Sequence, residues 1–132
     1  MKKNLRHTGT YKQGGLTVKT DLPVFIFEED GLVYCYCAPL DLYGYAKTEP
    51  EAKQSFETNT AEFLRYTQNK GTLTKELKRL GWKVLKETKK IPQYVAPEFV
   101  DLVNKNEDLN RIMTDIPNVR KYNQSVQIPA YA

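Results

Sequence analysis

The feature that most constrains this chain is a pair of apolar runs on either side of an Asp-Gly turn. The first run is Val24–Phe27 and the second is Leu32–Ala38, and the residues between them are acidic and end in Asp30-Gly31. Asp-Gly between two β-prone segments predicts a tight hairpin turn, because glycine adopts positive φ angles without steric cost. The sequence therefore predicts two adjacent antiparallel strands joined by an acidic turn.

A third strand and a long helix are predicted directly after the hairpin. A second break at residues 41–44 returns the chain along the hairpin as the third strand. Thr48 followed three residues later by Glu51 is the pattern of a capping box, and Pro50 falls in the first helical turn, where a missing N–H costs nothing. The apolar residues that follow have helical spacing, which predicts a helix over residues 49–69 that packs one face on the sheet.

The second half of the chain predicts shorter elements. A helix is expected over residues 74–80, and a strand over residues 82–87 is expected to complete the sheet. Pro97 is well placed to begin one further helix, and another is expected to begin near Asn106. From Ile116 onward, prolines and scattered polar residues predict an extended tail.

The predicted fold class is α+β, with an antiparallel β-meander, one packed helix and a mainly helical C-terminal extension. Residues 1–15 are expected to form a flexible basic leader, residues 16–90 the α+β domain and residues 91–132 the extension. The main alternative is a β-α-β-β-α-type sandwich with a different strand order. One domain of this size has enough chain to bury a real core.

Composition excludes several classes of protein. No apolar run approaches the roughly 18–20 residues that span a bilayer, and no apolar segment of a secretory signal follows the Met-Lys-Lys start, so a cytoplasmic location is expected. Cys35 and Cys37 fall on the same side of one strand and are expected to be buried thiols. With His7 the only histidine, no metal site and no cofactor are expected.

Charge is segregated along the chain although the net charge is only +4. Residues 21–57 hold eight acidic residues against two lysines, whereas residues 71–90 hold seven basic residues against two acidic ones. An acidic surface of this kind suits a basic protein partner, and the basic segment suits phosphate groups or an acidic partner.

Residues 24 to about 68 resemble the antitoxins of HicAB toxin–antitoxin systems. The shared pattern is an apolar strand, an acidic turn ending in Asp30-Gly31, an aromatic strand, a loop with Pro39-Leu40 and a helix start at Thr48-Glu49-Pro50-Glu51-Ala52. The resemblance implies a three-stranded meander, a packed helix and a returning strand, which together form a partial ribonuclease H fold. The chain departs from the family at Ala46-Lys47, and residues 91–132 show no helix-turn-helix or ribbon-helix-helix pattern for operator DNA.

The resemblance implies a HicB-like antitoxin-type protein that binds and neutralises a small basic RNA-cleaving toxin of the HicA-like kind, and that is not an enzyme. Acidic side chains are expected to steer the partner and tyrosines to anchor it. The candidate partner-binding residues are Glu28, Glu29, Asp30, Asp41, Tyr34 and Tyr43. Metal-dependent nuclease chemistry by the same acids is disfavoured, because three of them lie in one turn.

Two other functions remain open from the sequence. One is a stand-alone HicB-like module for protein interaction or oligomerisation, without a toxin. The other is weak nucleic-acid binding through the basic segment, with candidates Lys75, Lys78, Arg79, Lys83 and Lys86. A homodimer with residues 91–132 in its interface is also expected, because the apolar side chains of this extension must pack on their own domain or on a second subunit. Those side chains are Val100, Val103, Leu109, Ile112 and Met113.

Overall fold

A computed structural model describes residues 9–12, 15–85 and 93–130 of the chain, and these residues form an α+β fold with a five-stranded and a two-stranded antiparallel sheet and four helices. The strands are β1 (Gly9–Lys12), β2 (Gly15–Glu29), β3 (Leu32–Cys37), β4 (Leu42–Ala46), β5 (Lys83–Leu85), β6 (Gln93–Val95) and β7 (Arg120–Pro129). The helices are α1 (Glu49–Lys70), α2 (Leu73–Arg79), α3 (Phe99–Lys105) and α4 (Glu107–Asp115). Among the described helices, none is long and apolar enough to cross a membrane.

The predicted meander and its turn are confirmed. β2, β3 and β4 pair antiparallel in sequence order, and Glu29 lies opposite Leu32 across the first turn. Asp30 and Gly31 have φ angles of 54° and 80°, as the two central residues of a type I′ turn require. The helix start is confirmed as well, because the Thr48 side chain accepts a hydrogen bond from the Glu51 N–H.

β2 runs without a break for 15 residues and includes Pro23, a residue that commonly interrupts a strand. The two residues that close a two-residue hairpin hydrogen-bond to each other through their backbone N–H and C=O groups, so the N–H of Glu29 faces β3. The backbone N–H groups of every second residue of a strand face the same edge. The nitrogen of Pro23 therefore also lies on the edge of β2 that faces β3. No described strand pairs with residues 19–24 there, so the proline costs no ladder hydrogen bond.

The strand that completes the main sheet is β7, and the expectation that the strand after Trp82 would do so is wrong. β7 pairs antiparallel with β2 over ten residue pairs, from Thr17–Pro129 to Ile26–Arg120. β5 instead pairs with β6 in a separate two-stranded sheet. Residues 120–129 are therefore not an extended tail: they alternate buried and accessible side chains, as a half-buried strand does.

α1 packs on the first face of the sheet, as the sequence predicted. Its buried side chains are Ala52, Phe56, Thr60, Leu64 and Thr67. They meet the even-numbered residues of β2 and the odd-numbered residues of β3, so Cys35 and Cys37 both enter this core. α2, Trp82 and Tyr94 extend the same core.

The C-terminal helices cover part of the second face. Leu109 and Ile112 of α4 are fully buried against Phe25, Phe27 and Tyr36. Two of the apolar residues that suggested an interface are therefore packed on their own sheet. This is the first of the two arrangements that the sequence left open for these side chains.

Some of the predicted segments lie partly outside the described residues. Of the segment expected to be a flexible leader, Gly9–Lys12 form β1 and pair with β2, whereas residues 1–8 and 13–14 are not described. Residues 86–92 are not described either, so the part of the predicted strand that extends beyond Leu85 is untested.

Gly44 allows the backbone of α1 to lie in direct contact with the backbone of β4. A Cβ atom at this position would lie 2.2 Å from the Phe56 nitrogen and 2.4 Å from its Cα. We expect Gly44→Ala to lower the free energy of unfolding by about 2–3 kcal/mol, because the helix must move away from the sheet. Urea unfolding measures this change.

Gly31→Ala is the matched control for this prediction. Gly31 has a φ angle of 80°, which L residues rarely adopt, but beyond its chain neighbours no atom of the described residues lies within 4 Å of the added Cβ. We expect it to cost only about 1 kcal/mol, from backbone strain. Equal losses for the two variants would contradict the close approach of α1 at Gly44.

Candidate protein-binding site

The four acidic candidates lie at two separate ends of the hairpin. Glu28, Glu29 and Asp30 lie together at the turn between β2 and β3, whereas Asp41 lies in the turn between β3 and β4. These turns are at opposite ends of β3, which has six residues and spans about 17 Å at about 3.3 Å per residue. The structure therefore places three of these residues at one end of β3, with Glu28 and Glu29 on opposite faces of the sheet, and the fourth at the other end.

Glu29 makes an intramolecular ion pair. Its two carboxylate oxygens accept hydrogen bonds from the Arg111 guanidinium of α4, at 2.9 and 3.4 Å. The hydrogen bond to Glu29 raises the pKa of Arg111. This pair links the hairpin turn to α4, so the charge of Glu29 is largely neutralised within the chain. Glu28 and Asp30 are exposed and make no ion pair within the described part of the chain.

Asp41 belongs to a hydrogen-bond network that fixes the start of α4. The Tyr36 hydroxyl donates to Asp41 Oδ1 at 2.7 Å and accepts from Asn106 Nδ2 at 2.7 Å. Asn106 Oδ1 in turn accepts the Leu109 N–H at 2.9 Å, which is an N-cap for α4. Burial raises the pKa of Tyr36, whose side chain is fully buried, so the phenol stays protonated and donates.

Tyr43 also supports α4. Its hydroxyl donates to Asp108 Oδ2 at 3.2 Å, and burial together with that carboxylate raises the pKa of Tyr43 to about 12. Its ring lies against the ring of Tyr36, with centroids 4.3 Å apart. Of the six residues predicted to bind a partner, Glu29, Asp41 and Tyr43 thus make side-chain hydrogen bonds inside the chain.

Aromatic side chains form a row across three strands beside the hairpin turn. The centroids of Phe27 and Tyr34 are 5.4 Å apart, and those of Tyr34 and Tyr45 are 5.8 Å apart. Phe27 is buried and Tyr34 half-buried, whereas Tyr45 is 57% exposed. Sequence reasoning missed Tyr45, because only the strand register shows that it lies opposite Tyr34.

We call Glu28, Asp30, Tyr34 and Tyr45 the hairpin-tip surface. It comprises the accessible carboxylates of the turn and the exposed end of the stacked aromatic row, with the Glu28 side chain on the α1 face of the sheet and the two tyrosines on the opposite face. Carboxylates accept strong hydrogen bonds from arginine and lysine, and tyrosine rings supply contact area at small entropic cost. The arrangement suits recognition of a basic protein surface.

The basic candidates form a second surface. Lys75, Lys78 and Arg79 are exposed on α2, and their spacing of three and four residues places them on one side of the helix. Arg79 also pairs with Glu76 at 2.9 Å. Lys83 is exposed on β5, and Lys86 lies outside the described residues.

The cysteines are buried and unreactive in character. Burial raises the pKa of Cys37 to about 12 and also raises that of Cys35, so both thiols are protonated near neutral pH. The Tyr122 hydroxyl lies 3.7 Å from Cys35 Sγ. In the described ranges, no group of three or more histidine, cysteine, aspartate or glutamate side chains is placed to hold a metal ion.

No protein-family model matches this chain, and neither a curated protein nor a solved structure matches it. The likeness to HicB therefore rests on the sequence pattern of residues 24–68. Function has to be argued from the surfaces that the fold presents.

The network around Asn106 gives a stability prediction. Asn106→Ala removes the N-cap of α4 and leaves the buried Tyr36 hydroxyl without its donor, so we expect a loss of about 2–3 kcal/mol in the free energy of unfolding. Met113→Ala, at an exposed position of the same helix, is the control and should change it by less than about 0.5 kcal/mol. Similar unfolding midpoints for both variants would show that the network does not hold α4.

Buried tyrosines predict a loss of stability at alkaline pH. Burial raises the pKa of Tyr94 to about 12 from an ordinary value of 10.0, as it does in part for Tyr43. A folded-state pKa above the unfolded one stabilises the fold below pH 10, and this stabilisation is lost as pH rises from 10 to 12. Urea unfolding at about pH 8, 10 and 11 should show this decline, at up to about 1.4 kcal/mol per pH unit for each such group.

Tyr94→Phe separates this effect from general alkaline unfolding. The variant loses the hydrogen bond from Tyr94 to the Pro129 carbonyl, so it should be less stable than the native chain at about pH 8. Its decline above pH 10 should be shallower, since one titrating phenol is gone. A decline as steep as that of the native chain would rule out Tyr94 as a cause.

Proposed function

We propose that this protein acts by binding another protein through the hairpin-tip surface, as a HicB-like antitoxin-type protein whose partner is a small basic RNA-cleaving toxin. The observation that carries the proposal is the exposure of the Glu28 and Asp30 carboxylates at one hairpin turn, together with the exposed ring of Tyr45 at the end of the aromatic row on the face opposite Glu28. The sequence resemblance of residues 24–68 to HicB antitoxins supports the same partner class.

The mechanism would be steric and electrostatic. A protein that cleaves RNA needs cationic side chains to hold phosphates, and the carboxylates of Glu28 and Asp30 offer those side chains an alternative partner. Steering by unpaired surface charge mainly raises the association rate, whereas the ring of Tyr45 would bury contact area and slow dissociation. The bound antitoxin would then cover the RNA-binding surface of the toxin.

The stand-alone interaction module remains the first alternative, since it would use the same surface with a different partner.

The exposed cations of α2 favour a second alternative, which is weak nucleic-acid binding by Lys75, Lys78 and Arg79. Filter binding of single-stranded RNA at increasing salt separates this case. A steep loss of binding with salt is expected if phosphates are the target.

The test of the proposal is charge reversal at the turn. Glu28→Lys with Asp30→Lys should weaken binding to a small basic protein encoded by a neighbouring gene by at least about tenfold at low salt, and flatten its salt dependence. Surface plasmon resonance gives the association and dissociation rates, and the loss should fall mainly on the association rate. Glu29 is left unchanged, because its reversal would also break the pair with Arg111.

A double variant of equal charge change is the control for this test. Glu62 of α1 and Glu98 before α3 are both exposed and lie outside the hairpin turn, and Glu62→Lys with Glu98→Lys should bind nearly as the native chain does. Equal weakening by both double variants would mean that net charge matters and the hairpin tip does not. If the neighbouring genes encode no small basic protein, the function as a stand-alone interaction module is better supported than the antitoxin function.

The predicted homodimer remains a proposal, and the structure changes how it should be tested. Deleting residues 91–132 would remove β7 from the main sheet and α4 from its second face. The truncated chain would expose both cores, so its aggregation would report on folding. A test of self-association needs point substitutions at the surface.

A further inference from the structure

The β4 edge of the main sheet is covered. Because Gly44 pairs with β3, the outward-facing backbone groups at this edge belong to Tyr43 and Tyr45. Asn59 Nδ2 of α1 donates to the Tyr43 carbonyl at 2.7 Å, and Ser55 Oγ accepts the Tyr45 N–H at 3.2 Å. Side chains of α1 therefore occupy the hydrogen-bonding groups that another strand would need.

The β7 edge lacks such a cover among the described residues. Even-numbered residues of β2 direct their backbone N–H and C=O groups away from β3, and they form hydrogen bonds with even-numbered residues of β7. The odd-numbered residues of β7 therefore direct their N–H and C=O groups away from the sheet. Those outward-facing residues are Lys121, Asn123, Ser125, Gln127 and Pro129.

Hydrogen bonds already made at this edge limit the length of β7 that can pair with a further strand. Pro129 has no N–H, and its carbonyl accepts the Tyr94 hydroxyl. Within the described part of the chain, the outward groups from Lys121 to Gln127 have one partner only, because Gln124 Nε2 donates to the Ser125 carbonyl at 3.2 Å. A continuous stretch of seven residues is thus open to strand addition.

We propose that the chain forms a homodimer in which the β7 edges of two copies pair antiparallel, with the twofold axis between the two Gln124 residues. This register places Lys121 opposite Gln127 and Asn123 opposite Ser125 of the second copy. It uses the outward groups of Lys121, Asn123, Ser125 and Gln127 once the Gln124 amide releases the Ser125 carbonyl, and it ends just before Pro129, which could not donate. Both sheets then join into one.

The charges of β7 fit pairing with itself. Arg120 and Lys121 are its two charged residues, and both lie at its beginning. In the antiparallel register they lie opposite Ile128 and Gln127 of the second copy, so no two cations meet across the interface. A parallel arrangement would set the basic ends side by side.

A groove beside this edge offers further contact area. It has a volume of about 290 Å³ and lies between α1 and β7, where Phe56, Leu64 and Gln124 line it. Thr60 lines it too, and its buried Oγ1 has no hydrogen-bond partner among the described residues. Edge pairing alone buries less than the roughly 1,200 Å² of a stable interface, so side chains in this groove must contribute. The two Gln124 amides meet beside Thr60 in the proposed dimer and can supply its missing partner.

Cysteine cross-linking tests the register. Gln124→Cys places two thiols on the axis in a non-hydrogen-bonded pair, with Cα atoms about 4.5 Å apart, which is within the range for a disulfide. Oxidation should give a covalent dimer. Ser125→Cys is the control, since two copies of residue 125 lie more than about 7 Å apart in this register and should not cross-link. Cys35 and Cys37 are buried and should not compete.

A charged substitution tests the interface without a cross-link. Gln124→Lys puts like charges on the axis and should raise the dimer dissociation constant at least about tenfold at low salt, with partial recovery at high salt. Gln124→Met, which is uncharged and of similar length, should remain dimeric. Sedimentation gives the constants, and circular dichroism verifies the fold. A monomeric native chain, an unaffected Gln124→Lys dimer, or cross-linking at Ser125→Cys in place of Gln124→Cys would overturn the proposal.

Discussion

The pairing of β2 with β7 is the interaction on which the rest of the structure depends. β2 carries β3 on one edge and β7 on the other, and its alternate residues supply both cores of the protein. β7 comes from the far end of the chain, so this ladder is formed across a separation of about a hundred residues. Such long-range pairing is slow to form, and its entropic cost is recovered only when both faces are buried.

The two faces of the sheet are covered in different ways, and this difference leaves the functional surfaces free. α1 lies over the first face and approaches β4 closely at Gly44, which leaves a groove on the side of β7. On the second face, α4 is fixed by Leu109 and Ile112, and by the polar contacts of Glu29, Asp41 and Tyr43. The hairpin turn and the end of the aromatic row project beyond this cover.

Local features were predictable because each has a local physical cause. Asp30-Gly31 requires positive φ, Thr48 caps the helix that follows it, and Gly71 ends that helix in the left-handed conformation. The neighbour of β2 was not predictable, because β7 lies in a proline-containing polar segment that resembled an extended tail, and the sequences of β5 and β7 do not identify the strand that each pairs with. The candidate site could be predicted only in part, because some of its contacts are local and others join distant segments. The acidic residues of the turn were evident in the sequence. The ion pair of Glu29 with Arg111 depends on a distant helix, and the stacking of Tyr45 on Tyr34 depends on the strand register.

Amide hydrogen exchange along β7 tests the central claim most directly. If β7 pairs with β2 as described, the N–H groups of Tyr122, Gln124, Val126 and Ile128 donate into the ladder and should exchange only through global unfolding. Their protection should match that of the β2 amides of Leu22 and Val24, measured in the same sample. Exchange as fast as in an unfolded chain throughout residues 120–129, with the amides that pair β2 with β3 still protected, would contradict the fold and remove the basis for the dimer.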